Sequence, residues 1–386
     1  METGFVFPNE GHPHWTAMIV LYPTLSGIVA GAYIVACLYH VFGRKEFFPV
    51  YRFALAATFA FLIFAPLPLL MHLGRPERAL NIMITPNFTS AMAGFGFVYS
   101  FYLMVVALEI WFSFRSDFYA RAKRGGLLGM GMRLLLLGAK DDTPAMREAD
   151  HRISRSLSYI GIPTDFILTG YVGFIFGTIK ANPWWSTATM LLIFFTTALV
   201  AGAAMILFMY YFRTWRKGIA ADRACVDGLS KYLTWFAVVA IAIQGIELLS
   251  VAYKRTADWG MIFQLITGKL FYSYVVMQFI VCGVGALALL FFSRRKLLRD
   301  GSGGIGLFIA ALLLFTQSIV VRWNVVIGGQ LISKSHRGFG SYHVPLLHRE
   351  GAIPVLITLF MPFVFLFIFD RVINLFALDT KQAEEA

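Results

Sequence analysis

Charge is scarce in this sequence: 14% of its 386 residues are Asp, Glu, Lys or Arg, against 58% hydrophobic and 16% aromatic. An ordinary soluble domain is about one-quarter charged, so this composition excludes one. Cysteine is scarcer still. Cys37, Cys225 and Cys282 lie far apart and none falls in a CxxC spacing, so neither a disulfide framework nor an iron–sulfur site is encoded. Any metal centre must come from partners. Also missing are the polar/apolar alternation of a membrane β-barrel and any Gly/Ser linker between soluble domains. No basic n-region or small-residue cleavage site precedes the first apolar stretch, so the N-terminus reads as mature sequence. Residues 1–386 read as one integral membrane domain, with a disordered tail at 377–386.

What the chain does have is a series of apolar runs long enough to cross about 30 Å of hydrocarbon. In lipid the backbone must satisfy its own hydrogen bonds, so such runs are helices and the fold is an all-α, polytopic transmembrane protein. Nine spans are predicted, roughly 16–42, 50–72, 89–113, 157–179, 186–212, 231–253, 271–293, 304–323 and 351–376. Eight would result if the last run did not cross. The formal charge of +12 does not point to nucleic acid, because the basic residues fall in short segments between spans. With the N-terminus outside, 23 of the 33 Lys and Arg are inside, which the positive-inside rule favours. An amphipathic piece, Gly126–Leu137, is expected on the inner membrane surface beside Arg121, Lys123 and Arg124, or else is a plain basic loop.

Charge within a membrane is costly, so each ionisable group there is a site candidate. On the outer side the second span ends in His72-Leu73-Gly74-Arg75-Pro76-Glu77-Arg78, and the eighth ends in Arg322-Trp323-Asn324, followed by Gln330. These clusters supply what a quinone headgroup needs: donors for its carbonyl oxygens and groups that carry protons. His72 is the leading candidate, since imidazole is the side chain whose unperturbed pKa permits both roles near neutrality. Arg322 or Arg75 would stabilise negative charge on the ring or pair with Glu77. The plainer alternative is that Arg75, Glu77 and Arg78 are interfacial ion pairs that anchor the span.

Deeper in lie Glu109, Asp165, Glu247 and Asp370, with His40 near the inner end of the first span. Such a string is what a proton path requires, although Glu109, His40 and Asp370 could also reach the inner interface by snorkelling. A bis-histidine haem is disfavoured, because His40 and His72, the histidines placed on spans, sit at opposite faces. The small residues Ser26-Gly27…Gly31 suit close helix packing.

The HLGRPER segment 72–78, the SGIVAG segment 26–31 and RWNVVIGGQ 322–330 together resemble the NrfD/polysulfide reductase membrane-subunit family over most of the chain. The continuation SKSHRGF 333–339 is most similar to the DsrP branch of sulfur-metabolism complexes, with HmcC-type subunits second. The resemblance implies two four-helix bundles plus an extra helix, without haem or iron–sulfur cluster, binding menaquinone or another quinone toward the periplasm. It implies a non-haem quinone-reactive subunit of an oxidoreductase complex in a prokaryotic inner membrane. Its partners would be a periplasmic multi-cluster ferredoxin-like iron–sulfur subunit and, in a DsrP-like case, a multihaem cytochrome c and a second membrane subunit. Carried over by motif, His72, Arg75 and Glu77 match the first segment, and Arg322, Asn324 and Gln330 the second. His12, His14 and Tyr22 are placed to substitute for the buried Asn/His pair that some relatives carry on the first span. Two competing readings stay open: an ion-coupled secondary transporter using Asp165 and Glu247, and a structural anchor without a quinone site.

Overall fold

The computed structural model describes residues 4–10, 13–138, 142–373 and 375, so His12 and the tail 377–386 lie outside the described residues. Among these residues nine helices are long and apolar enough to cross a membrane. They are α1 (Ala17–His40), α2 (Lys45–His72), α3 (Ala91–Lys123), α4 (Pro144–Gly177), α5 (Thr189–Lys217), α6 (Arg223–Lys254), α7 (Phe271–Asp300), α8 (Gly304–Gln330) and α9 (Ala352–Val372). The protein is all-α. Below, the side holding His72 is the His72 face and the opposite side, where α1 meets α2, is the Arg44 face.

Several helices outrun their predicted spans: α3 reaches Lys123 and α4 starts at Pro144. Hydropathy registers only the part of a helix that lipid requires to be apolar. Beyond it, ion pairs between neighbouring helices hold the polar ends: Arg52 to Asp117 at 2.6 Å, Arg115 to Asp150 at 2.7 Å and Arg213 to Asp370 at 2.7 Å. Asp370 is therefore a partner of α5 rather than a headgroup-seeking carboxylate. Thr143 caps α4 by accepting from Met146 N, with Pro144 at the first helical position, a standard start signal. The expected amphipathic piece is a short helix, Gly126–Leu135, that exposes Leu127, Met130 and Leu134 and is tied down by Trp111 Nε1 donating to Leu135 O.

Helices α1–α4 form one bundle and α5–α8 a second, joined mainly where α1 packs on α5, while α9 lies against α2. In its most apolar stretch α1 is 94% buried and α9 only 17%, which makes α1 the axis of the molecule and α9 a peripheral helix. Two departures from regular helix matter for the site. Helix α2 breaks at Ala65–Pro66, where Pro66 and Pro68 cannot donate to the ladder, and a last short turn, Leu67–His72, delivers His72 to its face. Helix α7 winds as a π-helix over Phe271–Gly285, a form often found at functional positions.

Candidate functional site

His72 does not stand alone at the end of α2. Its Nδ1 lies 2.9 Å from Glu350 Oε2, and the same oxygen accepts from Thr16 Oγ1, the cap of α1. Glu350 thus joins α2, α1 and the turn into α9. When Nδ1 donates to this carboxylate, Nε2 is left as the free nitrogen, so the pair fixes the tautomer as well as the ring. Arg349 reinforces the junction by donating to Leu73 O at 3.0 Å. The side chains of His72 and Glu350 are 24% and 14% exposed, a setting where the boundary of the protein still admits a proton.

Burial raises the Glu350 pKa, but donation from Thr16 and His72 outweighs it and leaves the carboxyl below its ordinary 4.5. The folded state therefore binds the Glu350 proton less readily than the unfolded chain. The resulting stabilisation is complete above the ordinary value and is lost as pH falls through the lower, folded one. In detergent, the melting temperature of the wild type should fall on acidification below the ordinary Glu range. A Glu350→Gln chain should lack that part of the fall; superimposable pH curves for the two would remove Glu350 as its source.

The second predicted cluster is more dispersed than its spacing suggests. Gln330 accepts from Trp15 N at 2.7 Å and donates to Trp15 O at 2.9 Å, so its amide clamps the chain just before α1. It is committed to that clamp and positions α1 rather than reaching for a ligand. His14 is exposed in an adjoining open cleft of about 360 Å³ that Gln330, Asn182 and Trp185 also line. The ends of α2 and α8 are thus both tied to the start of α1, through Thr16 and Trp15 respectively.

Arg322 lies elsewhere. It is 1% exposed and donates to Pro23 O at 2.9 Å, Ser318 O at 2.8 Å and Thr197 Oγ1 at 3.1 Å. Pro23 is seven residues below Thr16, about 10 Å along α1. The guanidinium, seated over the Phe194 ring, pins α1, α5 and α8 together at depth instead of facing His72. Asn324 points into the second bundle. Arg75 and Glu77 are exposed on the turn after α2, and no ion pair joins them among the described residues, so the anchoring pair is not formed. Tyr22 is buried with its hydroxyl unpartnered, edge-on to Phe95 of α3 and close to Tyr99.

The inner groups form a connected set in the first bundle. Glu109, 1% exposed, accepts from Tyr33 at 2.8 Å and from Ser158 at 2.5 Å, with His40 Nδ1 3.7 Å away. It faces the bundle interior, not the lipid headgroups. Asp165 is two turns beyond Ser158 on the same face of α4; among the described residues neither of its buried carboxylate oxygens nor the Tyr102 hydroxyl has a hydrogen-bond partner, and the Tyr102 ring stacks edge-on against Tyr33. His151 packs against His40 with ring centroids 4.8 Å apart, so a third histidine belongs to the helices. The early start of α4 carries it there. Glu247 does not join this set: it lines a cleft in the second bundle, which divides the predicted string of carboxylates in two.

The polysulphide reductase, NrfD family matches residues 8–334, most of the chain and all the site residues discussed above except Arg349, Glu350 and Asp370. The chain belongs to this family. Among curated relatives it is 28% identical to a selenate reductase subunit of Mesobacillus selenatarsenatis, covering 81% of this chain and 73% of that protein. It is 24% identical to a putative dimethyl sulfoxide reductase membrane subunit of Halobacterium salinarum, over 82% and 67% respectively. Membership makes this NrfD-family chain a multi-pass membrane protein akin to membrane subunits of reductases. The residues that sequence reasoning missed are Glu350, Thr16, Tyr33, Ser158 and His151. Only Glu350 left a signal, as one of few carboxylates at the His72 face.

Proposed function

We propose that this chain is the quinone-interacting membrane subunit of a multi-subunit respiratory electron-transfer complex. It exchanges electrons between menaquinone, or a related quinone, and a periplasmic iron–sulfur subunit. The observation that carries this reading is the His72–Glu350 pair at the end of α2. An imidazole with one nitrogen fixed by a carboxylate is equipped to give and take a proton at the other. Tyr22 adds a buried hydroxyl with no partner among the described residues, a polar group that awaits a ligand atom or water. His72 and Tyr22 are the residues that would hold the headgroup. When bound, a quinone supplies a two-electron, two-proton couple that this cysteine-poor chain lacks. The residues themselves bind the ring, orient it and exchange its protons with the His72 face.

The Glu109 set supports a coupled proton route. His40, Ser158, Glu109 and Tyr33 lead from the Arg44 face into the first bundle, and the unpartnered Tyr102 hydroxyl and Asp165 carboxyl lie beyond them, where water would have to bridge the gap. We orient the His72 face to the periplasm of an inner membrane, because the Arg44 face carries most of the Lys and Arg. On that face a multi-cluster ferredoxin-like subunit would dock over the exposed Arg75–Arg78 turn. The motif SKSHRGF 333–339 favours the DsrP branch, in which a second membrane subunit and a multihaem cytochrome c complete the complex.

The test is binding of a quinone analogue to the purified complex, followed by fluorescence or calorimetry. Tyr22→Phe should weaken it by roughly tenfold, the equivalent of one hydrogen bond of about 1 kcal/mol or somewhat more. A chain that serves only as an anchor would bind no analogue, and wild-type affinity in Tyr22→Phe would remove Tyr22 from the site.

A further inference from the structure

The second bundle contains polar groups that nothing in the first-bundle reading uses. Gln278 donates to Gln244 Oε1 at 2.8 Å and Asn324 donates to Gln278 Oε1 at 2.7 Å, so a bar of three amides ties α6, α7 and α8 together. All three are at most 3% exposed. Above the bar, toward the His72 face, opens a small cleft lined by Glu247, Trp184 and Tyr274. Asn324 Oδ1 is buried beside that cleft without a partner.

Below the bar the accounting is worse. Gln317 is 0% exposed, and both its Oε1 and its Nε2 lack any hydrogen-bond partner. It sits seven residues before Asn324, about 10 Å deeper on the same face of α8, the face that meets α7 through Gln278. An amide stranded in a bilayer core costs several kcal/mol unless something bonds to it. The occupant must both donate and accept, and it must be small enough to pass beside the hydrogen-bonded bar.

We propose that the second bundle holds a water-filled inlet that enters at Glu247 on the His72 face, passes the Gln244–Gln278–Asn324 bar and ends at Gln317. Water has the donor and acceptor that Gln317 requires, whereas a quinone ring or a lipid hydroxyl stops at the cleft above. The inlet gives protons, with Glu247 at its mouth, a hydrated entry that does not pass through the His40–Glu109 set. The π-helical stretch of α7 contributes Gln278 and, about one turn deeper, Cys282. That places a native thiol beside the inlet.

Cys282 supplies the test. Sealed vesicles of known orientation carrying the unaltered full-length chain are exposed to Ag⁺ from the His72 side, then denatured and labelled with a maleimide. Peptide mapping separates Cys282 from Cys37 and Cys225. Cys282 should be protected by Ag⁺ before unfolding, at a rate that falls at least tenfold in Gln317→Leu and in Asn324→Leu. Two variants are named so that misfolding of one leaves the other decisive. A Cys282 that Ag⁺ reaches only after unfolding overturns the inlet, as do equal rates in wild type and both variants. Block of the Ag⁺ reaction by a quinone analogue would show that a ring, not water, fills the passage.

Discussion

A His72→Ala chain should insert and assemble like the wild type yet lose quinol-linked electron transfer by a factor of about 10²–10⁴, the range that a positioned acid–base group contributes. Assembly should survive because the imidazole is 24% exposed and, among the described residues, bonds to Glu350 alone, so its removal opens no buried void. Activity should not survive. His348, the other imidazole near that junction, accepts from Glu350 N on an exposed loop and is not placed to take over the role. Glu350→Gln is the informative companion. The amide keeps an oxygen for Nδ1–H and still orients the ring, so turnover should fall less than in His72→Ala. Arg75→Ala, on a solvated turn with no ion pair, should stay within a few-fold of wild type. The measurement is quinol-dependent reduction of the iron–sulfur partner by the purified complex, with assembly checked by co-purification. Wild-type turnover from a fully assembled His72→Ala complex would remove His72 from the chemistry.

The contrast between His72 and Arg322 shows what a sequence can and cannot convey about this protein. Nine spans were legible because lipid imposes one rule on every residue that crosses it, and that rule is written in hydropathy alone. The close packing of α1 was legible too, since Gly27 and Gly31 meet Arg322 and α5 where larger residues could not. Helix ends were not. Once α3 and α4 leave the apolar layer their continuation depends on pairs such as Arg115 with Asp150, which hydropathy does not register. Arg322 was placed beside His72 because both close their spans at one face. Yet α8 runs on to Gln330, which leaves Arg322 buried well below. Gln330 and Asn324 have the polarity predicted for them, but Trp15 occupies one and Gln278 the other. Such partnerships join residues distant in sequence, and spacing carries no record of them. Glu350 escaped for the same reason: it meets His72 across 278 positions.

The largest loss of folded protein should come from Gly202→Val, a residue with no part in the chemistry. Transmembrane helices gain little from the hydrophobic effect against one another and associate through close packing, which small residues permit. At the joint between the two bundles that approach is extreme. A Cβ on Gly202 would collide with Ala32 N and Gly31 Cα, and one on Gly31 would fall 2.6 Å from Leu199 O. The obstacles are backbone atoms, which no rotamer change can move, so α1 and α5 would have to separate. Separation would also pull Thr197 and Pro23 from Arg322, leaving a buried guanidinium short of acceptors. The cost should exceed the roughly 1–3 kcal/mol of ordinary overpacking and consume much of a typical folding stability. Gly27→Ala should cost less, because its Cβ would meet a side chain, Arg322 at 2.5 Å, rather than backbone. Gly245→Ala, with nothing within 4 Å of its Cβ, should melt at or slightly above the wild-type temperature. Melting temperature and the monodisperse fraction in mild detergent rank the three. A Gly202→Val chain that melts with the wild type would mean that α1 and α5 do not meet at these glycines.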